Sequence, residues 1–384
     1  MWAGRGQEAT EDEKAKQMLI RKAAVIGAGT MGCGIATHLA NAGVACLLLD
    51  IVPEGEGDRS RISSDAIARA LKTKPAAFMD PADAALLSAG NIEDDLDALG
   101  ECDWIIEAVT ENLEVKREIY EKIAPHRRPG SIISSNTSGI SLGMLTEGFD
   151  DDFRSSFLVT HFFNPPRYMY LLELVRGPDT SDEVFSGIRD FAEARLGKGV
   201  VECKDTPNFI ANRIGVLCMG ASCVYQEETG LSIEEIDAIT GPIIGRPKTA
   251  TFKLHDLVGI DVALMVMKNV YDLVPDDESR ELFRAPAFLE RLVEEGKLGR
   301  KSGGGFYRKE GKDILVLDLD SFEYRAAREV SFASLESAKK AKGLAAKIQA
   351  LVSGDDAASG YVWKLLSETM LYSARRVPEI CEDI

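Results

Sequence analysis

Between residues 20 and 204, short apolar runs alternate with amphipathic ones. The runs at 22–26, 44–49, 103–109, 130–135, 157–163, 170–175 and 199–203 have the length and boundaries of buried strands. The stretches 112–123, halted before Pro125, and 182–196 carry helical periodicity. Repeated βα units predict a mostly parallel sheet covered on both faces, with ligands outside the C-terminal ends of its strands. After Thr206-Pro207 the texture changes. A long apolar-periodic helix is predicted over 208–228, ended by Gly230, and Ser232-Ile-Glu-Glu235 is a capping box that opens another. Further helices are predicted at 261–273 and 279–295, so the second domain, 205–310, reads as all-α. Beyond it, 344–352 and 362–378 are amphipathic. Trp363-Lys-Leu-Leu onward echoes Arg213-Ile-Gly-Val onward. Residues 311–384 are therefore expected to be a linker and a partial second copy of the helical domain, although chance similarity of two amphipathic helices fits the periodicity as well. Residues 1–19 are polar and mixed in charge, lack the apolar core of a signal peptide, and are expected to be a disordered lead-in.

One turn carries chemistry. The first strand runs into Gly27-Ala-Gly29-Thr30-Met31-Gly32 at the start of a helix. In such a turn the first glycine permits the tight bend, the second lets a pyrophosphate approach the backbone, and the third lets helix and strand pack closely. The helix start offers free N–H groups to the phosphates. The second strand ends at Asp50. A carboxylate there accepts from the ribose hydroxyls of NAD and repels the extra phosphate of NADP, so NAD is the predicted cofactor.

Composition narrows the rest. The chain has 384 residues, 45% hydrophobic and 28% charged, which is ordinary for a globular protein of two or three domains. No apolar run approaches the roughly 18 residues of a membrane span. The net charge of −17 argues against nucleic acid as a partner. Seven cysteines, none in a C-x-x-C, read as reduced thiols without a metal site, as expected of a cytoplasmic protein. One segment opposes the acidic trend: Arg59, Arg61, Arg69, Lys72 and Lys74 face only Asp58 and Asp65. It is either a solvated helix face or a positive patch for a phosphorylated substrate.

Of the four histidines, His38, His126, His161 and His255, only His161 interrupts an apolar strand. Glu173 interrupts the next. The two lie six residues either side of Arg167, just after Asn164-Pro165-Pro166. An antiparallel hairpin about that turn places them opposite each other on one face. A carboxylate beside an imidazole fixes its tautomer and makes it an effective base. On pattern alone, a structural His–Glu pair remains the simpler reading.

Three further stretches stand out: Glu107-Ala-Val-Thr-Glu-Asn-Leu-Glu-Val-Lys116, Ser135-Asn-Thr-Ser-Gly139 and Cys203-Lys-Asp-Thr-Pro-Asn-Phe-Ile-Ala-Asn-Arg213. With the glycine turn and the His161 to Glu173 segment, the chain resembles the L-3-hydroxyacyl-CoA dehydrogenase family over about residues 20–310. The resemblance implies a Rossmann-type NAD-binding domain, 20–204, followed by a helical domain of the 6-phosphogluconate-dehydrogenase-like kind. It implies oxidation of the 3-hydroxyl of an acyl-CoA by NAD in fatty-acid β-oxidation. By position it makes His161 the base, Glu173 its partner, and Ser138 and Asn212 the groups that place substrate oxygens. It puts Glu111, Lys116 and Asn164 at the nicotinamide end, counts Ser138 among the cofactor contacts, and has Gly27, Gly29, Thr30, Met31, Gly32 and Asp50 holding the remainder. The segment after Asp50, with Pro53 and Gly55-Glu56-Gly57, departs from the short members. Arg61, Arg69, Lys72 and Lys74 are therefore candidates for the CoA phosphates without a matched position. The stretch from Gly245 to Asp261 looks more like the long multifunctional members. In those a second helical copy follows, often with an enoyl-CoA hydratase domain. The family pairs through its helical domains, as a homodimer or, with a second copy, as a pseudo-dimer. A related dehydrogenase of free hydroxy acids and a non-catalytic nucleotide-binding protein are the competing readings.

Overall fold

A computed structural model describes residues 19–382, so the expected lead-in lies outside the described residues apart from Leu19. The chain divides into two compact units, one of residues up to 210 together with 379–382, the other of 211–378.

The first unit is built on an eight-stranded sheet. Its elements in chain order are β1 (Lys22–Ile26), α1 (Thr30–Asn41), β2 (Ala45–Asp50), α2 (Arg61–Ala70), β3 (Leu87–Asn91), β4 (Trp104–Glu107), α3 (Leu113–Ile123), β5 (Ile132–Ser135), β6 (Phe157–Phe162), β7 (Leu171–Arg176), α4 (Asp182–Ala194) and β8 (Gly199–Cys203). Two short helices, Leu142–Thr146 and Asp151–Ser155, lie between β5 and β6. The strand order is β3-β2-β1-β4-β5-β6-β7-β8. All neighbours are parallel except β6 and β7. Side chains on a strand alternate between faces. Ala23 and Val25 of β1 thus join one core with Ile35, Leu39, Trp104 and Phe191. Ala24 and Ile26 join the other with Ile105, Tyr120, Ile133 and Phe157. Burial on both faces explains why these strands read as continuous apolar runs. Asn112 caps α3 by accepting from the Val115 N–H at 3.0 Å. β3 was not expected. It is an edge strand of sequence Leu-Ser-Ala-Gly-Asn with two exposed positions, so no apolar run announces it.

The second unit is helical, as expected. It contains α5 (Ala211–Thr229), α6 (Ile233–Thr240), α7 (Phe252–Val258), α8 (Ile260–Leu273) and α9 (Ala287–Glu294). α5 begins at 211 rather than 208 because Asn208 and Phe209 adopt left-handed backbone, with φ of 62° and 51°. The single helix expected over 279–295 is two pieces, a turn at Arg280–Phe283 and α9, separated at Pro286. Residues expected to act as a linker are ordered elements. They form an antiparallel sheet of β9 (Tyr307–Glu310), β10 (Asp313–Leu317) and β11 (Tyr324–Ala326), then α10 (Ala333–Lys340), α11 (Leu344–Val352) and α12 (Ala357–Arg375). Their Val316, Leu335, Leu351, Tyr361 and Leu365 share one core with Leu217, Ile236 and Phe252. Buried Arg213 at the start of α5 donates to Tyr372 of α12 at 2.6 Å and to Asp277 at 2.5 Å. The glycine-rich loop before β9, residues 296–306, is structural. Phe306 and Tyr307 donate their N–H groups to Asp256 at 2.8 Å each, and Cβ atoms on Gly299 and Gly305 would collide with that residue.

Candidate active site

The glycine turn separates packing from binding. Gly27 has φ of +104°, and a Cβ there would lie 2.6 Å from the Ala108 carbonyl oxygen. A Cβ on Gly32 would lie 1.8 Å from the Gly27 oxygen. Both positions exclude a side chain because protein already fills the space. At Gly29 a Cβ would meet nothing within 4 Å, so this glycine faces open space. No side chain caps α1, which leaves the backbone N–H groups around Thr30 and Met31 for an anion. The Met31 side chain packs on the core instead. Asp50 accepts from the Ala28 N–H at 2.5 Å and the Ile51 N–H at 2.7 Å, which fixes its carboxylate at the rim of the turn. An open glycine, an uncapped helix start and a fixed carboxylate together fit a dinucleotide.

A second cluster joins β4, α3 and the loop after β5. Lys116 is buried and donates to Glu107 at 2.8 Å and to Glu111 at 3.2 Å. Glu111 also accepts from the Thr137 hydroxyl at 2.6 Å and the Ser138 N–H at 2.7 Å. Three expected cofactor residues, Glu111, Lys116 and Ser138, are therefore one network. Glu107 anchors it, accepting also from Tyr120 at 2.7 Å, Ser135 at 2.6 Å and the Val109 N–H at 2.7 Å. The carboxylate of Glu107 is fully buried and meets every donor around it. Neither Glu107 nor Tyr120 was singled out from sequence. A carboxylate inside the apolar run 103–109 was the available signal, the same kind that marked Glu173.

The hairpin is present in the expected register, with His161 opposite Glu173. The His161 side chain is 7% exposed and that of Glu173 0%. His161 Nδ1 lies 2.7 Å from Glu173 Oε2, and the other carboxylate oxygen accepts from the Ile210 N–H at 3.0 Å. Glu173 is thereby oriented by the turn that follows Pro207. With Nδ1 engaged, Nε2 is the nitrogen left to exchange a proton. Asn136 accepts from the Phe162 N–H at 2.9 Å and ties the Ser138 loop to the strand of His161. The other histidines are structural. His38 Nε2 lies 3.1 Å from the Leu196 oxygen, His126 pairs with Asp97, and buried His255 Nδ1 lies 2.9 Å from the Thr251 oxygen.

The hairpin turn borders a cavity of about 520 Å³. Gly29 and Thr30 line one part of it, Asn164 to Tyr168 another, and Arg69, Thr73 and Lys74 a third. Arg69 and Lys74 thus join Asn164 and the dinucleotide turn around one space, whereas Arg61 and Lys72 are exposed and not among its lining. Arg59 is neutralised by Asp94 and Glu93.

Comparison with known proteins gives the family. Residues 22–206 match the family described as 3-hydroxyacyl-CoA dehydrogenase, NAD binding domain, and residues 209–309 match its C-terminal domain. The chain belongs to the 3-hydroxyacyl-CoA dehydrogenase family. It is 47% identical over 379 residues to a probable 3-hydroxyacyl-CoA dehydrogenase of Bacillus subtilis, covering 95% of this chain and 48% of that one. It is 35% identical over 373 residues to a putative fatty acid oxidation complex trifunctional enzyme of Rickettsia felis, covering 95% and 50%. It therefore spans about half the length of both relatives. Among solved structures it resembles the (S)-3-hydroxybutyryl-CoA dehydrogenase PaaH1 of Ralstonia eutropha, with a TM-score of 0.62 and 32% identity over 75% of this chain and 98% of that one. As a 3-hydroxyacyl-CoA dehydrogenase family member, the chain uses NAD, the cofactor its glycine turn fits. Among the described residues no helix is long and apolar enough to cross a membrane, and no cluster of His, Cys, Asp and Glu could hold a metal ion.

Proposed function

We propose that this chain oxidises the 3-hydroxyl of an L-3-hydroxyacyl-CoA to the 3-oxo thioester in fatty-acid β-oxidation. The observation that carries the reading is the buried 2.7 Å His161–Glu173 pair, on the hairpin whose turn shares a cavity with Gly29. Bound NAD would supply the acceptor for the hydride that leaves substrate C3. His161 Nε2 takes the hydroxyl proton as that hydride departs. Glu173 holds the imidazole in the required tautomer and stabilises the imidazolium. Ser138 and Asn212 position the substrate oxygens. Glu111, Lys116 and Asn164 shape the nicotinamide end, and Arg69 and Lys74 attract the CoA phosphates.

The substrate is the product of hydrating a 2-enoyl-CoA, so an enoyl-CoA hydratase is the expected supplier. The name of the Rickettsia relative supports work beside other fatty-acid oxidation steps. Seven free thiols support a reducing, cytoplasmic setting. The helices from α10 onward are proposed as a partial second copy of the helical domain, able to stand in for a partner subunit.

The test is NADH oxidation with acetoacetyl-CoA against free acetoacetate. The thioester should be preferred by roughly 10²-fold or more in kcat/KM, because binding energy from the nucleotide half is lost with the free acid. Equal efficiency overturns the reading in favour of a dehydrogenase of free acids.

A further inference from the structure

Arg167, at the tip of the hairpin, does two things at once. Its Nη1 donates to the Ala76 oxygen at 2.6 Å and to the Phe78 oxygen at 2.7 Å. The neighbouring Tyr168 hydroxyl donates to Ala76 as well, at 2.9 Å. From the other side, Asn41 accepts from the Met79 N–H at 2.8 Å and donates to the Ala77 oxygen at 3.0 Å. The loop after α2, which carries Lys74, is thus clamped to the hairpin that carries His161. Lys198 secures the hairpin turn itself, donating to the Pro166 and Met169 oxygens.

The rest of the Arg167 guanidinium stacks over the Tyr168 ring, 5.1 Å from its centroid, and keeps its remaining N–H donors. Among the described residues its Nε and Nη2 make no hydrogen bond, and no carboxylate lies within ion-pairing distance. Arg69 and Lys74 likewise have no acidic partner among those residues. In a chain of net charge −17, three cations left unpaired around one cavity form a local site for an anion. Arginine suits phosphate because its planar donors can engage two oxygens together.

We propose that Arg167 binds the phosphates of acyl-CoA, completing with Arg69 and Lys74 a cationic rim that the hairpin holds at a fixed distance from His161. Arg167 is then a specificity determinant, recognising the nucleotide end of the substrate. The inference rests on the acyl-CoA reading above.

Two measurements on the full chain test it. One is the calorimetric Kd for free coenzyme A. The other is the ratio of kcat/KM for acetoacetyl-CoA over that for acetoacetyl-N-acetylcysteamine, which lacks the nucleotide. Arg167→Ala should raise the Kd about tenfold and lower the ratio similarly, the scale of one lost charge-assisted hydrogen bond. Arg167→Lys should recover part of both. Should Arg167→Ala fail to fold, Arg167→Gln removes the charge while keeping donors for the loop, and the same rise in Kd is expected. A Kd and ratio within twofold of wild type overturn the proposal. So does an equal fall with both thioesters at constant Kd, which marks a purely structural clamp. So does a weakening confined to NADH, which assigns Arg167 to the dinucleotide. Wild-type protein that binds coenzyme A but turns over neither thioester refutes the proposed activity and leaves the Kd comparison to decide this inference. Wild-type protein without affinity for coenzyme A refutes both.

Discussion

His38 and His161 are both buried imidazoles, and their partners give them opposite duties. His161 meets a carboxylate, which fixes its tautomer and ring orientation for a proton transfer at the other nitrogen. His38 meets a backbone carbonyl, and burial with nearby Lys198 pushes it down to about 4, so it stays neutral. Its folded value lies below its unfolded one. Native stability should therefore rise with pH between about 4 and 6.5 and be lost as pH falls through that window. The contribution approaches about 1.4 kcal/mol per pH unit for one proton. Urea melts of wild type and His38→Asn from pH 4 to 7 should show the slope in the former and a shallower one in the latter; parallel curves would refute it. His161 and Glu173 were legible in the sequence because each breaks an apolar strand at equal distance from one turn. The Lys116–Glu107 pair was not, because it depends on how α3 folds back over β4. Nor was the Ile210 N–H, since a backbone donor leaves no mark on residue identity.

At the scale of elements, the strand–glycine–helix turn assigns a different role to each glycine. Gly29→Ala should fold like wild type yet raise the Kd for NADH, because the new methyl enters the space left for the phosphates. Gly32→Ala should instead lower the melting temperature, because its Cβ would strike the Gly27 oxygen. Comparable stability of the two variants would contradict this division. The alternating βα pattern, the glycine turn and the hairpin could all be read from periodicity. Where the structure departs, local backbone chemistry decides. Left-handed Asn208 and Phe209 delay α5, Pro286 divides a helix, and the edge position of β3 removes the need for an apolar run. The sheet at 307–326 was missed because its strands are only three to five residues long and β9 and β10 are exposed where they meet at their turn.

For the molecule as a whole, the proposed acyl-CoA, an anion, must reach a site in a strongly acidic protein. The cations on α2 and the loop after it provide the local reversal of sign. Replacing Arg69 and Lys74 together by Glu should raise KM for acyl-CoA at low ionic strength, with a smaller effect on kcat, since the interaction is similar in ground and transition states. The difference from wild type should shrink above about 0.15 M salt, where screening acts over roughly 8 Å. A KM equal to wild type at low salt would return the segment to a solvated face. The central claim is that the buried imidazole of the hairpin is the base of an NAD-dependent dehydrogenase. The most direct test is kcat for NADH-dependent reduction of acetoacetyl-CoA by wild type and His161→Ala, with NADH affinity measured alongside. The account predicts retained NADH binding and a kcat lower by roughly 10²–10⁴, the usual range for loss of a general acid–base group; near-normal turnover by His161→Ala would contradict it.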